Sequence, residues 1–284
     1  MAGVEVRELQ YFVAVAEEGH VGRAAERLGM TQPPLSRAIA QLERRLGVVL
    51  LERSSRGVTL TSAGTVLLRE GRAALDAVAA AERRTQRAAL ADGAPGLVLV
   101  TKAGASVELL AKLLDAYAAE PDPVPVEVLL CGPGEQEQLL RDGRADVALL
   151  HRPFDSTTGL DSEDLGTEGQ VVVLPAGHPL SVRDELRVAE VTGLPDLPLP
   201  RWPRRDGSYP DGPGPQVHNH EQLYQLIALG RTMAVLPASV QVSVRGGQCV
   251  VPLVDAPRVT TVIAWPPHST SRALAALVRT ATQL

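Results

Sequence analysis

Residues 24–39 read AAERLGMTQPPLSRAI and predict two helices joined by a tight turn at Gly29. Thr31 is a candidate N-cap for the second helix, because its side-chain oxygen can accept a hydrogen bond from a first-turn N–H. The two prolines that follow fit the first turn, where their missing N–H groups would have had no intrahelical partner. We therefore expect a short helix from about Gly22 to Leu28 and a longer one from about Thr31 to Leu46.

The longer helix has one apolar face and a polar leading edge. Its apolar residues recur at steps of four, three and four, as in a helix packed on a core; they are Leu35, Ile39, Leu42 and Leu46. Gln32, Ser36 and Arg37 lie off that face near the helix start, where they can contact another partner. Residues 7–18 show the same one-sided spacing and end at Gly19, which predicts a third helix of the same bundle.

Two short β-prone runs come next, Val48–Leu51 and Val58–Thr61, around a tip that carries Arg53 and Arg56. Three short helices followed by a basic hairpin is the pattern of a winged helix-turn-helix. Residues 30–56 hold five arginines against two glutamates, although the whole chain has a formal net charge of -5. Because phosphate contacts are local, such a segment can bind a polyanion within an acidic protein.

A long helix is predicted from about Ser62 to Ala91, since no proline interrupts it and alanine is the best helix former. Small or apolar residues recur every seven positions along it, at Leu67, Ala74, Ala81 and Ala88. We expect this seam to pair with a second copy, because residues 1–60 offer no evident surface to cover it. The alternative is a helix lying on its own domain. Residues 92–96 then form a linker.

The remaining chain alternates apolar strands and helices, which predicts a buried and largely parallel sheet. In a first group we expect strands at 97–101, 124–130 and 146–150, with helices at 106–120 and 134–143. In a second group we expect strands at 171–175, 233–236 and 259–265, with a helix at 221–229. A last helix is expected at 270–280. The proline-rich stretch 193–216, with Trp202 and Tyr209, is irregular and forms either a mobile lid or a surface excursion.

Residues 7–64 closely resemble the DNA-binding domain of LysR-type transcriptional regulators, and the long helix, linker and two α/β lobes follow in that family's order. The resemblance implies an α/β multidomain fold with a winged helix-turn-helix at 1–64, a linker and dimerisation helix at 65–92, and a periplasmic-binding-protein-like effector domain at 93–284. Its first lobe would comprise about 93–165 and 267–284, and its second about 166–266.

The resemblance also implies which side chains meet DNA. Base contacts fall to Gln32, Pro33, Ser36 and Arg37, with Thr31 beside them, and wing contacts to Arg53 and Arg56. A helix of this length fits the major groove, and short polar side chains at its N-terminal end can reach base edges. Three departures from the family stand out. His20 replaces the usual hydroxyl cap of the second helix, and Leu50-Leu51 replaces the usual leucine-phenylalanine pair, which should only repack the hairpin. Gly57 stands where a basic residue is common, which predicts one phosphate contact fewer.

The family resemblance places an effector between the two lobes. We expect it near strand ends and helix N-termini, at Thr101, Lys102, Gly132, Pro133 and Asn219, where exposed N–H groups favour carboxylates. Lys102 is the charge expected to meet an anionic ligand, and Asn219 is expected to cap the helix that follows it. Where relatives often carry a hydroxyl residue, this chain has Pro133, so that contact is lost.

The sequence gives little indication of a metal site, a redox-active cysteine or a catalytic site. His218 and His220 invite a metal-site hypothesis, but no second cluster with ligand spacing accompanies them. Cys131 and Cys249 are too few for a disulfide framework, and neither has a basic neighbour that would favour a redox role. No phosphate-binding loop or hydrolase motif occurs, so neither a cofactor nor catalysis is expected.

Together with the LysR-type resemblance, these patterns predict a cytoplasmic, non-enzymatic regulator that binds an inverted-repeat operator in double-stranded DNA as a dimer or tetramer and responds to a small-molecule effector. No apolar run is long enough to span a bilayer, and the N-terminus lacks the features of an export signal. Two alternatives stay open: a solute-binding protein, which leaves residues 1–92 without a role, and an enzyme on the same α/β scaffold.

Overall fold

A computed structural model describes residues 3–54, 57–90, 96–204, 207–244, 246–267 and 269–284, with backbone alone at 53, 54, 90 and 243. Contacts divide the chain into two compact units. The first comprises the chain up to Gln86 together with Arg141–Gly143, and the second comprises Arg87–Leu140 and Arg144–Leu284. The chain begins with α1 (Val6–Glu18), α2 (Val21–Arg27), α3 (Gln32–Leu46), β1 (Leu51–Ser54), β2 (Gly57–Leu60) and α4 (Ser62–Leu90).

The three short helices form the core of the first unit, which confirms their prediction from sequence. Gly19 ends α1 in the left-handed conformation that glycine adopts without steric cost. The buried side chains of this core include Phe12, Val15, Ala24, Leu35, Ile39 and Leu42. The apolar face of α3 is therefore turned inward, as its spacing predicts.

The hairpin was predicted correctly, but its first strand was placed too early. β1 pairs antiparallel with β2 from Leu51↔Leu60 to Ser54↔Gly57, whereas the sequence predicted a strand at 48–51. Glu43 explains the difference, because its Oε1 accepts hydrogen bonds from the N–H groups of Leu50 and Leu51 at 2.8 and 3.1 Å. This carboxylate holds the chain after α3 in a turn and delays the strand.

The long helix α4 was predicted. The expectation that residues 1–60 offer no surface to cover its apolar seam is wrong for the first half of the helix. Leu67, Leu68 and Leu75 pack against the core of the first unit. Gly71 is buried, and a Cβ there would lie 3.4 Å from Leu9 and 3.5 Å from Val13. Ala74, Ala81 and Ala88 remain exposed along the same helix. The linker predicted at 92–96 lies outside the described residues except for Gly96.

The second unit continues with β3 (Leu97–Lys102), α5 (Val107–Ala118), β4 (Val126–Cys131), α6 (Gln136–Arg141), β5 (Val147–Arg152), β6 (Asp161–Glu168), β7 (Gln170–Pro175), α7 (Val188–Val191), α8 (His220–Ala228), β8 (Ala234–Pro237), β9 (Gln248–Leu253), β10 (Val259–Trp265) and α9 (Arg272–Thr282). Short 3-10 helices occur at Pro179–Val182 and Ala238–Ser243. Among these elements, β6, α7, β9 and the two 3-10 helices were not predicted from sequence.

The first sheet has the strand order β4-β3-β5-β10-β6. β3 is parallel to β4 and β5, but β10 is antiparallel to both β5 and β6. The expected parallel pairing thus holds among β4, β3 and β5, and β10, which returns to this sheet after the second sheet, is the one strand of the five that runs in the opposite direction. For the same reason the lobe boundary expected at residue 266 does not follow the sheets. α5 and α9 cover one face of the sheet and α6 the other.

The second sheet has the order β8-β7-β9 and is entirely antiparallel. Its central strand is buried on both sides, with α8 on one of them. Part of the proline-rich stretch packs beside it: Arg201 N donates to Pro215 O at 2.8 Å, and Val217 N donates to Arg201 O at 3.0 Å. Trp202 packs against the apolar cluster under α8, whereas residues 211–213 of the same stretch are exposed.

Candidate functional site

The turn between α2 and α3 is fixed by backbone hydrogen bonds. Gly29 adopts a φ of +65°, and Met30 N donates to Ala25 O at 2.9 Å. At the start of α2, His20 takes the place of the family's hydroxyl cap, and its Nδ1 accepts a hydrogen bond from Gly22 N at 3.1 Å. The loss of the hydroxyl cap at His20 is therefore compensated, because the imidazole nitrogen accepts the first-turn hydrogen bond that a hydroxyl oxygen would accept.

The leading end of α3 presents its polar side chains to solvent. Leu35, Ile39 and Leu42 are at most 1% exposed, and the opposite side of the first two turns is open. The residues expected to meet DNA there are exposed or half-buried; they are Thr31, Gln32, Pro33, Ser36 and Arg37. Thr31 occupies the N-cap position as predicted, but its side chain makes no capping hydrogen bond. The structure thus brings these five residues together on one accessible surface.

Arginines near this surface differ in their partners. Arg27 pairs with Glu17 at 2.8 Å, Arg45 pairs with Glu8, and the carboxylate of Glu17 also accepts from Arg72. Burial opposes ionisation of Glu17, but hydrogen bonds from both arginines lower its pKa below the ordinary value. Within the part of the chain that the structure describes, Arg37 has no ion-pair partner, so its guanidinium is available to an incoming phosphate or base.

The wing can be described only in part. Arg53 lies in β1 opposite Val58, and the side chain at this position is not described. Arg56 lies outside the described residues. Gly57 has a φ of +134°, and a Cβ there would lie 2.6 Å from Gly19 O. Because Val58 N donates to that same carbonyl oxygen at 2.9 Å, the hairpin approaches the end of α1 so closely that only glycine fits. This contact accounts for the missing basic residue.

In the second unit, Lys102 is held in an ion pair. Its Nζ lies 2.8 Å from Asp155 Oδ2, and the side chains are 13% and 5% exposed. Asp155 also accepts from His151 N at 2.7 Å. Burial opposes ionisation of Asp155, but hydrogen bonds from His151 and Lys102 and the charge of Lys102 lower its pKa. The one lysine expected to face an anion therefore already has a carboxylate partner.

Two cavities of the second unit are lined by expected effector residues, and a third is lined by none of them. One of about 620 Å³ is lined by Gly132 and Pro133, with Arg204 and His218 across from them. Another of about 800 Å³ runs along α8 past Asn219. A third, of about 40 Å³, is lined by Ser106 and His151. Among the described residues, Thr101 and Lys102 line none of these three cavities, so the structure separates the five expected residues into three groups.

The beginning of α8 agrees with its prediction. Asn219 Oδ1 accepts a hydrogen bond from Gln222 N at 2.9 Å, which confirms it as the N-cap. His218 Nδ1 lies 2.6 Å from Tyr209 Oη, and the His220 ring packs 5.3 Å from that of Trp202. Burial, and then the charge of Lys102, lower the pKa of His220. Among the described residues, no group of three or more histidine, cysteine, aspartate or glutamate side chains could hold a metal ion.

The two cysteines are poor nucleophiles in this structure. Burial raises the pKa of the Cys131 thiol to about 12, and its Sγ lies 3.5 Å from Thr101 O. Burial also raises the pKa of Cys249. Since the thiolate is the reactive form, these environments disfavour oxidation or exchange at neutral pH.

Two family models cover most of the chain. The model of bacterial regulatory helix-turn-helix proteins of the LysR family matches residues 6–65, and the model of the LysR substrate-binding domain matches residues 95–284. The chain belongs to the LysR family. Its first unit carries the helix-turn-helix of that family, and its α/β part is the family's substrate-binding domain.

Curated LysR-type relatives are regulators. AlsR of Bacillus subtilis is 37% identical over 203 residues, 70% of this chain and 66% of that protein. HcaR of Escherichia coli, a transcriptional activator of the hca operon, is 36% identical over 191 residues, 67% of this chain and 64% of that protein. The chain therefore spans about two thirds of these two relatives. IlvR of Caulobacter vibrioides is 31% identical over 304 residues, 99% of this chain and 98% of that protein.

Solved LysR-type structures share the fold over the whole chain. Full-length BenM is 26% identical with a TM-score of 0.52, covering 99% of this chain and 96% of that one. Full-length CbnR in complex with its target DNA is 25% identical with a TM-score of 0.51, covering 99% of both chains. In the described parts of the chain, no helix is both long enough and apolar enough to cross a membrane.

Proposed function

We propose that this chain is a sequence-specific DNA-binding transcriptional regulator that responds to a small-molecule effector. The observation that carries the proposal is the orientation of α3, whose Leu35–Ile39–Leu42 ridge is buried while its polar leading edge is exposed. A buried ridge fixes the helix, and an exposed N-terminal edge can enter a major groove. Membership of the LysR family supports the same role.

Each DNA-facing side chain has a distinct proposed part. Gln32 carries the amide that pairs with an adenine edge, Arg37 the fork that fits guanine or phosphate, and Ser36 an adaptable hydroxyl. Pro33 offers an apolar contact, and Thr31 lies where it can meet the backbone. Arg53 and Arg56 of the wing would hold the adjacent phosphates or minor groove.

Fluorescence anisotropy with duplexes from the region upstream of the protein's own gene tests this proposal. Gln32→Ala and Arg37→Ala should each lose about 1–3 kcal/mol of specific binding free energy. Lys112→Ala is the matched control: it removes one positive charge from an exposed pair with Glu108 in the second unit and should leave affinity unchanged. Unaltered binding by both α3 variants would refute the assigned interface.

The effector is proposed to be a small molecule with an anionic group, bound by the α/β part near Thr101, Lys102, Gly132, Pro133 and Asn219. Support differs between these residues. Gly132 and Pro133 line a cavity of about 620 Å³ that also contains Arg204, whereas Lys102 is already paired with Asp155. We therefore expect an anionic effector to meet Arg204 rather than Lys102. Thermal-shift screening of metabolites from neighbouring genes, repeated on Arg204→Ala, tests this expectation, because a specific ligand raises the melting temperature.

Self-association is proposed through α4, as a dimer or a dimer of dimers. The alanines at 74, 81 and 88 are exposed and small, so two such helices can approach closely. A two-fold pair would present its recognition helices to half-sites of an inverted repeat. Ala81→Glu should weaken the pair, which sedimentation velocity measures, while Glu82→Ala on the same helix serves as the control.

The proposed role is regulatory and needs no cofactor. We expect the protein in the cytoplasm, where its operator is. The curated LysR-type relatives named above are regulators, which supports this role over a solute-binding protein or a metabolic enzyme. A solute-binding protein would also leave the helix-turn-helix without a task. Binding of a metabolite without any effect on DNA affinity would favour that alternative.

A further inference from the structure

Ser106 and His151 form a side-chain pair that sequence patterns did not reveal. Ser106 Oγ lies 2.8 Å from His151 Nε2, and the histidine is only 4% exposed. The two residues are 45 positions apart and meet because β3 and β5 are parallel neighbours. A serine hydroxyl hydrogen-bonded to a buried imidazole is the geometry of an activated nucleophile and its base.

The Asp155 carboxylate lies beside the imidazole without a hydrogen bond to its ring. Asp155 Oδ2 accepts from His151 N at 2.7 Å and lies 3.7 Å from His151 Nδ1, which has no hydrogen-bond partner among the described residues. A carboxylate on this side favours the tautomer with its proton on Nδ1 and leaves Nε2 to accept the serine proton. Lys102 Nζ, 2.8 Å from the same carboxylate oxygen, keeps Asp155 ionised and in place.

The backbone at Ser106 is strained. Its φ is +51°, and no other described residue except glycine has a positive φ. Ser106 also occupies the N-cap position of α5 without capping it, so its hydroxyl is committed to His151 instead. A serine on a strained turn before a helix is a feature of reactive serine sites, and the first-turn N–H groups at the start of such a helix are donors suited to an oxyanion.

The pair faces a small cavity that opens beside a larger one. Its volume of about 40 Å³ has room for about three water-sized groups. Leu236, Pro237 and Val240 give it an apolar wall. Gly104, His220 and Val242 line both this cavity and the one of about 800 Å³, so the larger space can take a leaving group.

We propose that Ser106 accepts a short acyl group from an ester or thioester, with His151 as general base. Ser106 Oγ bonds to the acyl carbon while its proton passes to His151 Nε2; the bond from that carbon to the leaving oxygen or sulfur breaks, and the proton leaves with the alcohol or thiol. The apolar wall holds the acyl chain, and the size of the cavity selects short ones. This reactivity does not depend on the proposed DNA binding.

The full-length protein treated with p-nitrophenyl acetate tests the proposal. We expect a burst of p-nitrophenolate close to one equivalent and an acetyl mass increment on the peptide containing Ser106. Ser106→Gly should abolish both, and glycine keeps the positive φ without strain. His151→Gln should slow acylation by about 100-fold or more. The octanoyl ester should react far more slowly than the acetyl ester.

Three results would overturn the proposal: no increment on Ser106, an unchanged rate in His151→Gln, or acetylation confined to Cys131, Cys249 or the exposed Lys112. DNA affinity measured on the same preparations separates the two proposals. Acylation of Ser106 in a protein that binds no DNA specifically would leave this inference standing and remove the regulatory role.

Discussion

His20 Nδ1 accepts a hydrogen bond from Gly22 N at 3.1 Å, so an imidazole caps the first helix of the helix-turn-helix. The family's usual hydroxyl is absent at this position, but the free N–H is still satisfied. Because α2 has only seven residues, its N-terminus forms a large part of the helix. The cap thus bears on the positioning of α3, which follows after one tight turn.

Replacing His20 tests the value of this cap. We expect His20→Ala to reduce the free energy of unfolding by about 1 kcal/mol, and His20→Ser to restore most of it. Denaturant unfolding followed by circular dichroism measures both. Thr31→Ala is the control, since the Thr31 side chain makes no capping hydrogen bond and its loss should have a small effect. Equal losses for His20→Ala and Thr31→Ala would contradict the assigned cap.

Gly57 is expected to be intolerant of any side chain. A Cβ at this position would lie 2.6 Å from Gly19 O, and the φ of +134° is unfavourable for other residues. Gly57→Ala should therefore destabilise the first unit by about 1–3 kcal/mol. Gly166→Ala, at a position with open space and no positive φ, should be nearly neutral in the same unfolding experiment. Adding the basic residue common in the family, Gly57→Arg, should weaken DNA binding through misplacement of the hairpin.

The buried pair of Lys102 and Asp155 predicts a pH dependence of stability. The pKa of Asp155 is lowered in the folded protein, so its contribution is present above the ordinary value of 3.8 and is lost as the pH falls below it. Melting temperatures measured between neutral pH and pH 3 should fall less steeply for Asp155→Asn than for the unaltered protein. Lys102→Met should be strongly destabilising, and the double variant Lys102→Met/Asp155→Asn should recover part of the loss. If the melting temperature depends on pH in the same way in Asp155→Asn and in the unaltered protein, this account is contradicted.

Local sequence patterns predict the helices of the first unit better than the strands. The helices α1 to α3 were placed within a residue or two, because apolar spacing, Gly19 and the turn at Gly29 are local signals. β6 was missed since Asp161–Glu168 is mostly polar and becomes a strand only by pairing with β10 at the sheet edge. β1 was misplaced because Glu43, seven residues before Leu50, tethers the intervening chain.

The two candidate sites also differ in how far the sequence predicts them. The α3 residues that we propose contact DNA were predictable as a surface because they alternate with a buried ridge on one helix. The group formed by Lys102, Ser106, His151 and Asp155 was not, since it depends on the pairing of β3 with β5 and not on spacing along the chain. The ion pair with Asp155 also changes the expectation for Lys102, because the sequence alone showed no partner for the charge of this lysine.

Competition binding measures the central claim most directly. Labelled duplex from the region upstream of the protein's own gene would be displaced by unlabelled duplex of the same or of scrambled sequence, at one fixed salt concentration. We predict that the native sequence competes at least about 1,000-fold better, and that Arg37→Ala reduces this ratio while Lys112→Ala does not. Equal competition by native and scrambled duplexes would contradict the account.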